Sequence, residues 1–232
     1  GKLMIACPDG NVLAELLELL KLEKIEENIF RGQSQDLGFR SVYGGQVLGQ
    51  ALSAAYQTVP VERRAHSLHA YFLRPGRYDE PIDYVVDRIR DGTSFTTRRV
   101  VAVQGGDAIL NLDASFHRDE PGDAHQPDSP LSLAGAPEDG VEPDDPPWMR
   151  GRPLEARAVA GAPPGVSMRW VRVPTRLPDD PMLHAAMLAF LSDMGPVGVV
   201  AQSLGVPRQG RMMASLDHCL WFHHPARADE WL

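Results

Sequence analysis

The pair Gly44-Gly45 constrains this chain more than any other feature. It follows the turn-rich approach Phe30-Arg31-Gly32-Gln33 and then Tyr43. It opens an apolar run of small residues that includes Gly49, Ala51, Ser53, Ala54 and Ala55. Glycine has no Cβ, so another group can come close to the backbone there. The first N–H groups of a helix lack internal acceptors and carry partial positive charge. A polarised carbonyl or an anion can be seated at such a point. The small residues suit close packing on a sheet. The pattern predicts a central helix over residues 44–58, closed by Pro60.

Strand signals follow over residues 67–73, 82–90, 94–104 and 108–117. They are separated by the turn signals Arg74-Pro75-Gly76, Asp91-Gly92 and Gly105-Gly106-Asp107. Upstream, Asn11 can cap a short amphipathic helix to about Leu22, and residues 28–33 read as a strand. Residues 1–117 thus form one unit, a helix wrapped by a meander of long strands. Residues 118–150 are an acidic Pro/Gly-rich linker. Residues 151–232 form a second unit, with strands over 154–159 and 166–173 and a helix over 182–194. Met182, Ala185, Ala186, Ala189, Phe190 and Asp193 share one face of that helix. A Gly- and Pro-rich loop and a strand over 212–223 complete it.

The two units read as a diverged repeat. Aligning Tyr71-Phe72-Leu73-Arg74-Pro75 with Trp221-Phe222-His223-His224-Pro225 places them 150 residues apart. Three strands follow the first proline, and the second repeat is expected to need roughly 35 residues beyond Leu232.

Composition narrows the function. A net charge of −8 argues against a general nucleic-acid or anionic-membrane binder. A local basic patch can still hold phosphates, and Arg74, Arg90, Arg98 and Arg99 are candidates. The cysteines Cys7 and Cys219 form no framework and fit a reducing compartment, so the expected location is cytoplasmic. No run reaches the roughly 20 apolar residues of a membrane span.

Several motifs stand in register. They are Ile25-Glu26-Glu27-Asn28-Ile29-Phe30-Arg31-Gly32-Gln33-Ser34, Tyr43-Gly44-Gly45-Gln46, and His66-Ser67-Leu68-His69-Ala70-Tyr71-Phe72-Leu73-Arg74-Pro75-Gly76. Arg90-Asp91-Gly92-Thr93-Ser94-Phe95, Ala114-Ser115-Phe116, Ser192-Asp193 and Leu216-Asp217-His218-Cys219-Leu220-Trp221-Phe222-His223 follow. In this order and spacing the chain resembles the type II acyl-CoA thioesterases, the TesB-like double-hotdog family. The resemblance runs from about Leu16 to Leu232.

It implies an α+β double hotdog, two antiparallel sheets each wrapped around a long helix, with the last strands of the second unit absent by Leu232. It also implies hydrolysis of acyl-CoA to free acid and coenzyme A by direct water attack, with no metal or cofactor. A homo-oligomer, dimer or tetramer, is expected, with no nucleic acid and no membrane insertion. In the family an Asp, a Ser or Thr, and a Gln hold the water. Carried over by motif, the catalytic residues are Asp193 and Ser215, and the Gln falls beyond Leu232. Gly44, Gly45 and His66 are the candidate substrate-binding residues.

The residues themselves leave alternatives open. Asp193 ends an apolar helix, where its charge opposes the helix dipole. It either serves a function or faces solvent as a helix terminator. His66 is a second candidate base or a satisfied strand histidine. Spaced three apart on a strand, His66 and His69 should face opposite sides and so suit no shared metal site. Asp217 and His218 are adjacent, so only one can enter a given site. A non-catalytic acyl-thioester binder is one rival reading. An enoyl-thioester hydratase is another, less favoured because no His follows Asp193 in Met194-Gly195-Pro196-Val197-Gly198.

Overall fold

The residues of the central helix from Gly45 to Ala55 are all buried, and a sheet wraps around them. The computed structural model describes residues 12–123, 125, 127, 135–141, 153–159, 168–195, 204–205 and 214–232. The elements are α1 (Val12–Leu20), β1 (Glu23–Glu26), β2 (Ile29–Gly32), α2 (Gly44–Tyr56), β3 (Arg63–Phe72), β4 (Ile82–Asp91), β5 (Phe95–Gln104) and β6 (Asp107–Arg118). After a 3-10 turn at Pro137–Asp139 come β7 (Glu155–Ala158), β8 (Arg169–Arg172), α3 (Pro181–Ser192) and β9 (Asp217–Trp221).

The strands form a seven-stranded antiparallel sheet in the order β1-β2-β4-β5-β6-β3-β9. Alternation puts Ile82, Tyr84, Val86, Val100, Ala102, Leu110, Leu112, Ala114 and Phe116 on the inner face. There they pack with Val47, Leu48, Ala51, Leu52 and Ala55 of α2. At roughly 25 cal/mol per Å² of apolar area, this buried layer supplies the main drive to fold. The second unit contributes α3, which lies against α2, and β9, which extends the sheet at β3. β7 and β8 form a separate two-stranded sheet.

The glutamines of the opening motif are structural. Gln50 Nε2 donates to Leu19 O at 2.6 Å and Gln33 O at 2.9 Å, and Tyr84 Oη donates to Gln50 Oε1 at 2.6 Å. Gln46 Oε1 accepts from Gln35 N–H. These buried amides tie the approach loop to α2, so Gly44 is delivered in a fixed position. Arg98, buried beside the C-terminal end of α2, donates to Thr58 Oγ1, Thr58 O, Arg90 O, Thr97 O and Asp91. Those bonds occupy its guanidinium, so Arg98 is a helix-end anchor rather than a free phosphate ligand.

The structure departs from the sequence reading at three places. β1 is an exposed edge strand, Glu-Lys-Ile-Glu, whose composition carries no burial signal. α2 stops at Tyr56, because Thr58 Oγ1 donates back to Ala55 O and turns the chain. β9 begins at Asp217, later than the expected strand over 212–223, and residues 212–213 of that range lie outside the described residues. Asn11, most of the 118–150 linker and most of the 195–211 loop also lie outside them.

Candidate active site

α3 begins at Pro181, where Asp180 accepts the Met182 N–H at 3.0 Å, and Asp193 is its C-terminal cap. The apolar face of α3 crosses α2 closely at two glycines. A Cβ on Gly49 would stand 2.9 Å from Ala186 O, and one on Gly45 would stand 2.3 Å from Phe190 O. Tyr43 locks the crossing by donating its hydroxyl to Phe190 O at 2.8 Å.

This crossing resolves the placement of Asp193. At the end of its own helix the carboxylate opposes the dipole, yet the N-terminus of α2 faces it. The Gly45 N–H faces the carboxylate and favours its charged form. Gly44 packs so tightly that a Cβ there would lie 2.7 Å from Asp193 Oδ2 and 2.9 Å from the Phe72 ring. The Asp193 side chain is 11 % exposed. Burial pushes its carboxyl up to about 6, against the smaller opposing pull of the Gly45 N–H. A buried carboxylate near neutrality, against a helix N-terminus, is suited to exchange a proton with water.

His218 joins this corner from β9. Its partner on β3 is Ala70, an inner-face residue, so His218 points toward the helices. Its Nε2 lies 2.9 Å from Ser192 Oγ, and Ser192 Oγ donates its proton to Ala189 O at 2.8 Å. Ser192 therefore accepts from Nε2–H, which assigns the proton to Nε2 and leaves Nδ1 an acceptor. Nδ1 stands 3.8 Å from Asp193 Oδ1, too far for a direct hydrogen bond. Burial lowers the His218 pKa, which keeps the ring neutral. Two acceptors at this separation can share one water that donates to both.

Ser215 lies in the extended approach to β9. The Phe72 N–H donates to Leu216 O at 3.0 Å, which brings this approach to the end of β3 beside Gly44. Ser215 is half-buried, and among the described residues its side chain makes no hydrogen bond.

His66 is elsewhere. A register shift between Ala65 and Ser67 puts both bulge residues on the outer face of the sheet. His66 contacts Ser115 Oγ at 2.7 Å, with the His117 and Phe95 rings beside it. The structure thus brings together Gly44, Gly45 and Asp193, with the Ser215 backbone nearby, and leaves His66 on the opposite side of the sheet. The bulge also corrects the expectation that His66 and His69 face opposite ways: both lie on the outer face. Asp217 lies there too, bonded to His69, so Asp217 and His218 divide between the two faces as adjacent strand residues must.

Comparison with known proteins decides the family. The acyl-CoA thioesterase N-terminal domain model matches residues 32–117, and the acyl-CoA thioesterase C-terminal domain model matches residues 116–232. The chain belongs to the type II acyl-CoA thioesterases. It is 38% identical to acyl-CoA thioesterase 2 of Haemophilus influenzae, over 96% of this chain and 85% of that protein. It is 31% identical to human acyl-coenzyme A thioesterase 8, over 97% and 79% respectively. Among solved structures, the acyl-CoA thioesterase II TesB2 of Mycobacterium marinum superposes with a TM-score of 0.78 at 40% identity, covering 92% of this chain and 82% of that one. The tesB protein of Mycobacterium avium subs paratuberculosis gives 0.80 at 31% identity, covering 95% and 84%. The thioesterase fold is therefore the double hotdog, with its helices α2 and α3 crossing at the glycines described above.

Proposed function

We propose that this thioesterase hydrolyses acyl-CoA to free acid and coenzyme A by attack of a water held at Asp193. Acyl-CoA thioester hydrolysis is the chemistry of the family to which the chain belongs. The observation that carries the water route is the buried Asp193 carboxylate, poised near neutrality at the start of α2.

Asp193 takes a proton from water as the oxygen bonds to the thioester carbon. His218 Nδ1 and the Ser215 hydroxyl orient that water. Gly44, the first helical residue, has an N–H with no intrahelical acceptor, and it is the donor available to the developing oxyanion. Collapse of the tetrahedral species breaks the carbon–sulfur bond, and the Asp193 proton passes to the departing thiolate. We place the reaction in the cytoplasm, in fatty acid metabolism, and in an even homo-oligomer. The cysteine usage and the half-exposed apolar residues Val85 and Phe95 on the outer sheet face support the location and the assembly respectively.

A single turnover in ¹⁸O water with enzyme in excess tests the route. Direct attack delivers one labelled oxygen to the free acid and leaves Asp193 unlabelled. Label in the Asp193 peptide would mean a covalent anhydride, and no release of free thiol at steady state would favour the binder. The nearness of Asp193 and His218 gives the hydratase rival one supporting feature. Conversion of an enoyl-CoA to the hydroxyacyl-CoA without thiol release would establish it.

A further inference from the structure

The outer face of the β3–β9 pair carries a cluster that the hydrolytic corner does not use. Asp217 and Cys219 are two apart on β9 and therefore point the same way. His69 sits directly opposite Cys219 on β3. His69 Nε2 lies 2.6 Å from Asp217 Oδ1, and Cys219 Sγ lies 3.8 Å from the same oxygen. Among the described residues, these three ligand atoms all fall within 4.8 Å of one another.

We propose that His69, Asp217 and Cys219 bind a divalent transition ion of the zinc type, distinct from the hydrolytic site on the inner face. The donor set is one imidazole nitrogen, one carboxylate oxygen and one thiolate sulfur. Such a mixture selects zinc or cobalt over magnesium or calcium, which take oxygen ligands. The geometry agrees. Metal–ligand bonds of about 2.0–2.3 Å at tetrahedral angles separate the donor atoms by roughly 3.4–3.6 Å. Parting His69 from Asp217 by less than about 1 Å, and drawing Cys219 in, reaches that spacing.

The sheet fixes the three Cα positions, so little order is lost on binding. Side chains at i, i+2 and the directly paired residue of the next strand form a three-cornered clamp. The fourth position faces solvent and is left to water. On binding, the Cys219 thiol loses its proton to solvent as the metal–sulfur bond forms, and no oxidant or reductant is involved. Linear spacing conceals such a site, because His69 and Cys219 are brought together by strand pairing between the two units.

Cobalt(II) titrated into the purified, reduced chain tests this. One equivalent should produce a thiolate-to-cobalt charge-transfer band in the near ultraviolet and tetrahedral d–d bands in the visible, both displaced by zinc. A Cys7→Ser variant should keep the bands. Cys219→Ser should abolish the charge-transfer band, and His69→Gln and Asp217→Asn should each weaken binding at least about tenfold. Cys219 is exposed, so Cys219→Ala serves as a second variant, with circular dichroism showing that the fold is kept. Absence of the band in the folded wild-type chain, or its persistence in folded Cys219→Ser, would overturn the site and leave His69–Asp217 an ordinary surface pair.

Discussion

Gly44 and Asp193 compete for one volume: a Cβ on the glycine would stand 2.7 Å from the carboxylate oxygen of the aspartate. Neither residue shows this demand alone, since one opens α2 and the other closes α3. Gly44 has no positive φ, so alanine fits its backbone, and the clash is with the carboxylate and the Phe72 ring. Gly44→Ala should therefore still fold, with a melting temperature lowered by overpacking that costs about 1–3 kcal/mol. Its turnover should fall at least about tenfold, because the base is displaced from its working position. Wild-type turnover in a folded Gly44→Ala protein would show that the contact does not position Asp193.

The pH dependence follows from the Asp193 carboxyl at about 6. Only the ionised form accepts a proton from water, so kcat/KM should fall as pH drops through about 6. Stability has the opposite sign. The unfolded Asp titrates near 3.9. Between that value and about 6 the folded chain holds the proton more strongly, so stability decreases as pH rises across this window. Replacing the group with neutral Asn should raise stability at pH 7 by on the order of 2–3 kcal/mol, and the gain should vanish toward pH 4. Melting temperatures of the wild type and Asp193→Asn at both pH values check the sign.

His218→Ala should lower kcat by about tenfold or more and leave KM for acyl-CoA nearly unchanged. That pattern marks an interaction made in the transition state rather than on binding. A rise in KM with unchanged kcat would assign His218 to substrate binding instead.

Ser215→Ala should reduce turnover less than loss of Asp193, because the hydroxyl orients water and forms no bond to the acyl group. Intact mass after mixing the wild-type chain with substrate should show no acyl adduct. An acyl-enzyme on Ser215 would replace water attack with a nucleophilic serine.

Much of the fold was legible in the sequence. The small-residue run after Gly44-Gly45 and the turn signals at Asp91-Gly92 and Gly105-Gly106 placed α2 and the β4–β6 meander within a few residues, because burial periodicity and glycine punctuation are local properties. Asp193 was singled out through family motifs, and its favourable setting was not legible, since the α2 N-terminus facing it lies far away in the chain. The same limit hid the selection between Asp217 and His218. Alternation says that they part, but only the pairing of His218 with Ala70 says which of them faces the helices. His66 was misplaced relative to His69 because one extra residue in β3 leaves no mark in composition.

The most direct test is steady-state release of free thiol from a saturating acyl-CoA by Asp193→Asn, assayed beside the wild-type chain. Asn keeps the volume and an acceptor for the Gly45 N–H while removing the base, so the variant should fold, melt no lower than wild type at pH 7, and lose at least about a hundredfold in kcat. Near-wild-type thiol release by the folded variant would contradict the central claim that Asp193 activates the attacking water.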